Sequence, residues 1–106
     1  MIVKFRRINP DRIRQLRRTK RNNLSQNYPN PFNPVTSIKF SIPKVAIVKI
    51  SVYNILGREV AVLADREYQA GEYIIRWEAA NVSSGIYFIY MEAADYHRTL
   101  EMVLLR

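Results

Sequence analysis

The stretch VTSIKFSIPKVAIVKISVY, residues 35–53, decides the fold because its apolar side chains recur at every second position. Serine and lysine occupy many of the positions between them, and a Pro43-Lys44 pair interrupts the alternation. A period of two is typical of a strand with one buried face, and the proline favours a turn. The stretch therefore predicts two strands. Their expected core-facing residues are Ile38, Phe40, Ile42, Val48, Ile50 and Val52.

Downstream of this stretch, turn signals separate further alternating segments. We expect a tight turn at 54–57 and a short strand at 58–63. A longer polar loop is expected at 64–71, because charged residues interrupt the apolar pattern there. Apolar and charged residues alternate again at 72–78, which predicts another strand.

The last quarter of the chain predicts two more strands. Residues 86–91 are apolar or aromatic on both faces, which indicates a central strand covered on both sides. A turn is expected at 94–97, and this turn includes the sole histidine, His97. Alternation then resumes at 98–105. Short strands separated by turns at this spacing indicate an all-β, antiparallel β-sandwich of about six to seven strands.

Glycines and large aromatic residues have structural roles in this prediction. Gly57, Gly71 and Gly85 lie in or after predicted turns, where we expect backbone angles that a side chain disfavours. Trp77 and Tyr87 are expected to fill the core and to place a polar edge at its rim.

A proline-rich lead-in, residues 28–34, precedes the first alternating strand. It reads Tyr-Pro-Asn-Pro-Phe-Asn-Pro, and its three prolines favour extended or turn conformations over a regular strand. We expect this lead-in to be anchored to the sandwich through the apolar side chains of Tyr28 and Phe32, in preference to acting as a free proline-rich ligand.

The N-terminal arm, residues 1–23, carries the whole net charge of the chain. Nine basic residues and one acidic residue give 9 − 1 = +8, whereas the remaining residues contain eight of each and are neutral. Asn9, Pro10 and Asp11 together favour a helix start, so a short helix over about 10–20 is one prediction. Since no clean apolar stripe would result, a solvated, disordered arm is the default prediction.

The composition argues against an enzyme or a metalloprotein. The chain has one histidine and no cysteine, and no glycine-rich phosphate loop or metal-ligand spacing occurs, so we expect no cofactor and no metal. Asp65, Glu67 and Glu72 are interpreted as solvated loop residues. No apolar run approaches the roughly 20 residues that span a bilayer, and no signal peptide is recognisable in the chain as written.

Several short motifs occur in a specific order and together resemble one known family. The motifs are QNYPNPFNP at 26–34, VYNILGREV at 52–60, Ala70-Gly71 before Trp77, SGIYF at 84–88 and EMVLLR at 101–106. This set resembles the type A C-terminal sorting domain of proteins exported by the type IX secretion system of Bacteroidetes and related phyla. That family is similar in turn to the immunoglobulin-like domain of flagellar hook-capping proteins, so the resemblance implies an immunoglobulin-like sandwich at 24–106.

The resemblance implies a non-catalytic address label. Its partners would be the outer-membrane secretion machinery and a cell-surface processing protease, and its location would be the periplasm and then the cell surface or the medium. The recognition residues it implies lie at the domain start and in the last two strands: Pro29, Asn30, Pro31, Phe32, Asn33, Gly85, Tyr87, Leu104 and Arg106. Such cargo normally has an export signal and a large upstream domain, so we expect this chain to be a fragment, to have a wrongly assigned start, or to lack delivery.

Two other functions remain open from the sequence. The arginine-rich arm could bind nucleic acid or another anionic surface, a hypothesis we rank below sorting because the rest of the chain is neutral. The immunoglobulin-like domain could instead be an adhesive or structural module, since a fold alone does not fix a function.

Overall fold

The alternating stretch at 35–53 forms two strands that do not pair with each other and belong to different sheets. The computed structural model describes residues 21–106, and in this part the chain contains seven strands and no helix. The helix considered for about 10–20 lies outside the described residues. The strands are β1 (Asn23–Leu24), β2 (Val35–Ile42), β3 (Ala46–Tyr53), β4 (Glu59–Tyr68), β5 (Gly71–Glu78), β6 (Gly85–Ala93) and β7 (Tyr96–Leu104).

Two antiparallel sheets pack face to face. The three-stranded sheet has the order β1-β2-β5, and the four-stranded sheet has the order β4-β3-β6-β7. Every pairing between named strands is antiparallel. The predicted all-β sandwich of six to seven strands is therefore confirmed, and its strand order is that of an immunoglobulin-like fold.

The core lies where the alternating faces meet. The six predicted core-facing residues of β2 and β3 are all fully buried, and Ile89, Met91, Met102 and Leu104 of β6 and β7 lie with the β3 residues on the inner face of the four-stranded sheet. Trp77 and Tyr87 are buried at the rim, as predicted. The hydroxyl group of Tyr87 donates a hydrogen bond to the carbonyl oxygen of Ser83 at 2.6 Å, which satisfies its polar edge.

The polar loop predicted at 64–71 is wrong. Strand β4 continues through this region to Tyr68, so the interpretation of Asp65 and Glu67 as loop residues is also wrong. Ala64 and Tyr68 are buried while the two carboxylates are exposed, because the segment alternates between core and solvent. Glu72 likewise lies in a strand, β5, with its side chain exposed. Charged residues on a solvated strand face were mistaken for a loop.

Two predictions near β6 also need correction. Only one face of β6 is buried, since Ile86 is exposed and Phe88 and Tyr90 are half-buried. The turn that follows is shorter than predicted, because pairing ends at Ala93 and resumes at Tyr96. His97 is therefore an exposed residue of β7 and not a turn residue.

All three glycines have the backbone angles expected of them. Gly57, Gly71 and Gly85 have φ values of 79°, 149° and 154°, in the region that side chains disfavour. At Gly57 the left-handed conformation closes the turn between β3 and β4. Within residues 21–106, no helix has the length and apolarity needed to cross a membrane.

Candidate functional site

The lead-in joins the two sheets at one end of the sandwich. Tyr28 forms an isolated antiparallel bridge with Ser37 of β2, and Phe32 forms a parallel bridge with Leu104 of β7. The amide of Phe32 donates to the carbonyl oxygen of Val103, and the amide of Leu105 donates back to that of Phe32, both at 2.9 Å. The lead-in therefore starts beside one sheet and ends beside the other.

Only one of the two predicted apolar anchors holds the lead-in. Phe32 is buried, but Tyr28 is 80% exposed, so the prediction of an anchoring Tyr28 side chain is wrong. Tyr28 is held through its backbone, which exchanges two 2.9 Å hydrogen bonds with Ser37. The anchored lead-in itself is confirmed, and Phe32 is its residue in the hydrophobic core cluster.

A buried polar cluster holds the start of this crossing. The side-chain amide of Asn27 donates to the carbonyl oxygen of Pro29 at 3.0 Å and to Oγ1 of Thr36 at 2.9 Å. The hydroxyl group of Thr36 also donates to the carbonyl oxygen of Pro29, at 2.8 Å. Asn27 and Thr36 are both almost fully buried, so unpaired polar groups there would be costly. Neither residue was predicted to have a role, although Asn27 lies in the motif QNYPNPFNP.

Exposed side chains of the same segment bind the last strand. Oδ1 of Asn30 accepts a hydrogen bond from the amide of Val103 at 2.9 Å, and the side-chain amide of Gln26 donates to the carbonyl oxygen of Glu101 at 2.7 Å. β7 is an edge strand, and these bonds use backbone groups along its outer edge. The predicted residues Pro29, Pro31 and Asn33 are exposed beside these contacts.

Three aromatic rings connect the lead-in to β6. The ring centroids of Phe32 and Trp77 are 5.6 Å apart, and those of Trp77 and Tyr87 are 5.7 Å apart. Both separations lie in the range of favourable tilted and edge-to-face contacts. The predicted recognition residues Phe32 and Tyr87 are therefore linked through Trp77, on the core side of this end.

The C-terminal residue closes the same end. The amide of Arg106 donates to Oγ of Ser84 at 2.9 Å, and its guanidinium group donates to the carbonyl oxygens of Val82, at 2.8 Å, and Ala79. Leu104, two residues before Arg106, is the cross-strand partner of Gly85. The predicted residues Gly85, Leu104 and Arg106 therefore lie together.

The turn between β3 and β4 lies beside these residues. Oδ1 of Asn54 accepts hydrogen bonds from the amides of Leu56 and Arg58 at 2.9 and 3.0 Å, which fixes the turn. Ile55 and Leu56 project from it with 70% and 73% of their surface exposed. A cleft lies between this turn and residues 83–87. The motif VYNILGREV contains this turn, but its apolar tip was not predicted to be a contact surface.

These segments define what we call the C-terminal end: the turn at 54–57, the loop at 79–84, residues 29–34 and residues 103–106. The chain enters the described part at the opposite end, where Oγ of Ser41 donates to the carbonyl oxygen of Arg21 at 3.2 Å. A strand of the length of β7 spans about 30 Å at about 3.3 Å per residue. The C-terminal end is thus separated by roughly this length from the point where the preceding chain joins.

The site offers contact surface and no recognisable catalytic or metal-binding group. Within residues 21–106, no three histidine or acidic side chains are close enough to hold a metal ion together. His97 is exposed on β7, and its ring is 6.4 Å from that of Tyr90. In this part of the chain, the arrangement is one of turns, an edge strand and exposed apolar side chains.

Comparison with known protein families gives one match. The family described as "Secretion system C-terminal sorting domain" matches residues 26–104, which is most of the chain. The match includes the lead-in and all of the strands from β2 to β7. No curated protein matches the chain.

Proposed function

Since the chain belongs to the secretion system C-terminal sorting domain family, we propose that residues 24–106 direct an attached cargo protein across the outer membrane through the type IX secretion system. The domain acts as a folded, non-catalytic signal, and the secretion machinery does the work of translocation. Membership of this family implies export of the carrier protein to the cell surface or its secretion. We further propose that the domain is presented to the machinery in the periplasm.

The observation that carries this proposal is the convergence of the predicted recognition residues on the C-terminal end. Residues from the lead-in, from the start of β6 and from the chain terminus are far apart in sequence but are joined by hydrogen bonds and strand pairs. Because the upstream chain joins at the opposite end, a cargo domain attached there leaves the C-terminal end accessible. A signal that must be read while attached to varied cargo needs such an arrangement.

The predicted recognition residues divide into two groups by exposure. Phe32, Tyr87 and Leu104 are buried, so they act as positioning residues that hold the end together. The exposed residues can touch a partner directly, and they are Pro29, Asn30, Pro31, Asn33, Gly85 and Arg106. The exposed tip at Ile55 and Leu56 adds apolar area beside them, which suits contact with a protein partner.

Proteolytic removal of the signal, if it follows export as in the family, would occur upstream of Asn23. From β1 onward the backbone is held, since β1 pairs with β2 and the amide of Ser25 donates to the carbonyl oxygen of Lys39 at 2.9 Å. Proteases cut accessible, unpaired backbone more readily than paired strands. We therefore propose that the lead-in stays with the signal when a cell-surface protease separates it from cargo.

A secretion assay with surface variants tests the proposal. The full chain is fused behind a periplasmically exported reporter in a type IX-competent bacterium, and reporter activity is measured in the periplasm and in the medium. We expect the unmodified fusion to leave the periplasm, and the Leu56→Asp and Arg106→Ala variants to accumulate there several-fold.

Matched variants at the opposite end serve as controls. Lys44 and Asp95 are exposed in the turns of that end, so Lys44→Ala and Asp95→Ala should be secreted normally. Circular dichroism of each purified variant separates loss of fold from loss of recognition. Retention of the unmodified fusion in the periplasm would refute the sorting function, whereas equal effects at both ends would refute the assignment of recognition to the C-terminal end.

A further inference from the structure

The outer face of the four-stranded sheet combines apolar side chains with carboxylates. β3 and β6 pair through Tyr53 with Phe88 and through Ser51 with Tyr90, which places both aromatic residues of β6 on the outer face. Ile86 pairs with Val103 of β7 on the same face. The exposed or half-buried apolar residues of this face are Ile47, Tyr53, Val62, Ile86, Phe88, Tyr90 and Val103. No segment of residues 21–106 covers them.

The charges on this face are predominantly negative. Strand register places one basic residue, Lys49, and five acidic residues on it, for a formal charge of 1 − 5 = −4; the acidic residues are Glu59, Asp65, Glu67, Glu92 and Glu101. Within residues 21–106, none of these carboxylates forms an ion pair. The face therefore has an excess of negative charge around an apolar centre.

The outer face of the three-stranded sheet differs. There Lys39 and Arg76 balance Glu72 and Glu78, and Arg76 lies 3.8 Å from Glu78 in an exposed ion pair. The strand residues of this face are neutral in sum, and its large exposed hydrophobic residues are Ile74 and Tyr28, which bridges Ser37 of the same face. The two outer faces thus offer a built-in comparison between a charged, apolar surface and a neutral one.

Residues 1–20 have the complementary chemistry. They contain eight basic residues and one acidic residue, Asp11, for a formal charge of 8 − 1 = +7. Apolar side chains are interspersed, at Ile2, Val3, Phe5, Ile8, Ile13 and Leu16. Guanidinium groups bind carboxylates and also stack on aromatic rings, and this face offers both. A second copy of the acidic face, or a nucleic acid, would instead be repelled by it.

The arm is also long enough to reach the face. Twenty extended residues span at most about 66–72 Å, whereas the strands of the face are about 30 Å long. The arm joins at Arg21, beside β1 and β2, and the lead-in shows that this side of the sandwich adjoins the edge strand β7. Arg21 lies near Lys39 and Glu72 on the outer face of the three-stranded sheet, so the route to the outer face of β6 and β7 passes the edge strands β1 and β7.

We propose that residues 1–20 dock on the outer face of the four-stranded sheet, across Phe88 and Tyr90 and against the carboxylates of Glu92 and Glu101. Arginine side chains of the arm pair with the carboxylates and stack on the rings, while its apolar residues cover the exposed strip. This inference is independent of the sorting function, and the arm then has a partner within its own chain.

Paramagnetic relaxation in the full chain tests the proposal. The protein contains no cysteine, so a Gln15→Cys variant carries a single nitroxide label. We expect amide signals of residues 88–92 and 99–103 to lose most of their intensity, and those of Lys39, Ile74 and Arg76 on the other outer face to keep theirs. Uniform loss, no loss, or loss on the neutral face would overturn the proposal.

Charge neutralisation provides the matched control. The double variant Glu92→Gln/Glu101→Gln should recover most of the lost intensity, whereas Glu72→Gln/Glu78→Gln on the other outer face should not. Raising the ionic strength from about 0.1 M to about 1 M shortens the Debye length from about 10 Å to about 3 Å and should also recover it. Unchanged broadening in the first variant, with amide dispersion intact, would overturn the proposal.

Mixing experiments identify which arm occupies the face. Nitroxide-labelled protein without ¹⁵N is mixed with unlabelled ¹⁵N protein, so any broadening must come from another copy. We expect no broadening in the mixture at concentrations where protein that carries both the nitroxide and ¹⁵N in one chain shows broadening. Equal broadening in both samples would mean that the arm of a second copy docks there, and would overturn docking within one chain.

Discussion

The two ends of the sandwich are built in different ways. At the end where the chain enters, the connections at 43–45, 69–70 and 94–95 contain two or three residues each. At the C-terminal end, the lead-in and the loop at 79–84 are longer and are held by side chains and by the last residues of the chain. Short connections need only local turn chemistry, whereas long ones need partners elsewhere. The C-terminal end therefore depends on residues from both termini of the domain.

Removing the Phe32 side chain should destabilise the C-terminal end most. Phe32 is 2% exposed and contacts Trp77, so Phe32→Ala leaves a cavity at the C-terminal end. Such truncations cost about 3–5 kcal/mol. We expect the free energy of unfolding, measured by urea titration, to fall by about that amount.

Tyr28→Ala is the matched control in the same segment. Tyr28 is also aromatic and lies in the lead-in, but its exposed ring is outside the core. A substitution there should change the free energy of unfolding by less than about 0.5 kcal/mol. Equal losses in both variants would show that the lead-in is not anchored through Phe32.

The buried polar cluster should give the next largest effect. Asn27→Ala removes three hydrogen bonds and leaves Gln26, Thr36 and the carbonyl group of Pro29 with fewer partners. We expect a loss of about 1–3 kcal/mol in the free energy of unfolding. Asn23→Ala at the opposite end is the control, since its bond to Ser25 is exposed and worth less than about 1 kcal/mol. A larger loss for Asn23 would reverse the comparison.

The sequence predicted the sandwich because its core strands alternate cleanly. In β2 and β3, every predicted core position is buried, since Lys39, Lys49 and Ser37 mark the other face. The alternation of apolar and polar residues did not predict the strand at 64–68. There β4 contains three charged residues, and its pairing with β3 has a register shift near Ile50 and Ser51. A bulge changes which residues face inward, and composition alone does not reveal it.

For the candidate site, the sequence predicted a set of residues but not the surface that they form. The resemblance named residues from the lead-in, β6 and the terminus, and the fold places them at one end. What could not be predicted is which of them are exposed, because burial at this end depends on the crossing of the lead-in between sheets. Tyr28 and Phe32 illustrate this, since they are four residues apart and equally aromatic, yet one is exposed and the other buried.

Two turns of the four-stranded sheet give the smallest and sharpest test of the comparison. Gly57, at the C-terminal end, has a φ of 79°, and no atom lies within 4 Å of where a Cβ would be. We therefore expect Gly57→Ala to lower the free energy of unfolding by about 1–2 kcal/mol, because the backbone conformation disfavours a side chain and not because the side chain would clash.

Ala94, at the opposite end, has a φ of 53° and is the counterpart of Gly57, because it already bears the strain that Gly57→Ala would introduce. Ala94→Gly relieves that strain but makes the unfolded chain more flexible, so the net gain should be only about 0.5 kcal/mol. Thermal and urea unfolding should thus show opposite signs for the two variants. If both variants lost stability, the left-handed conformation at Ala94 would not be costly, and the two turns would differ in more than the residue that each contains.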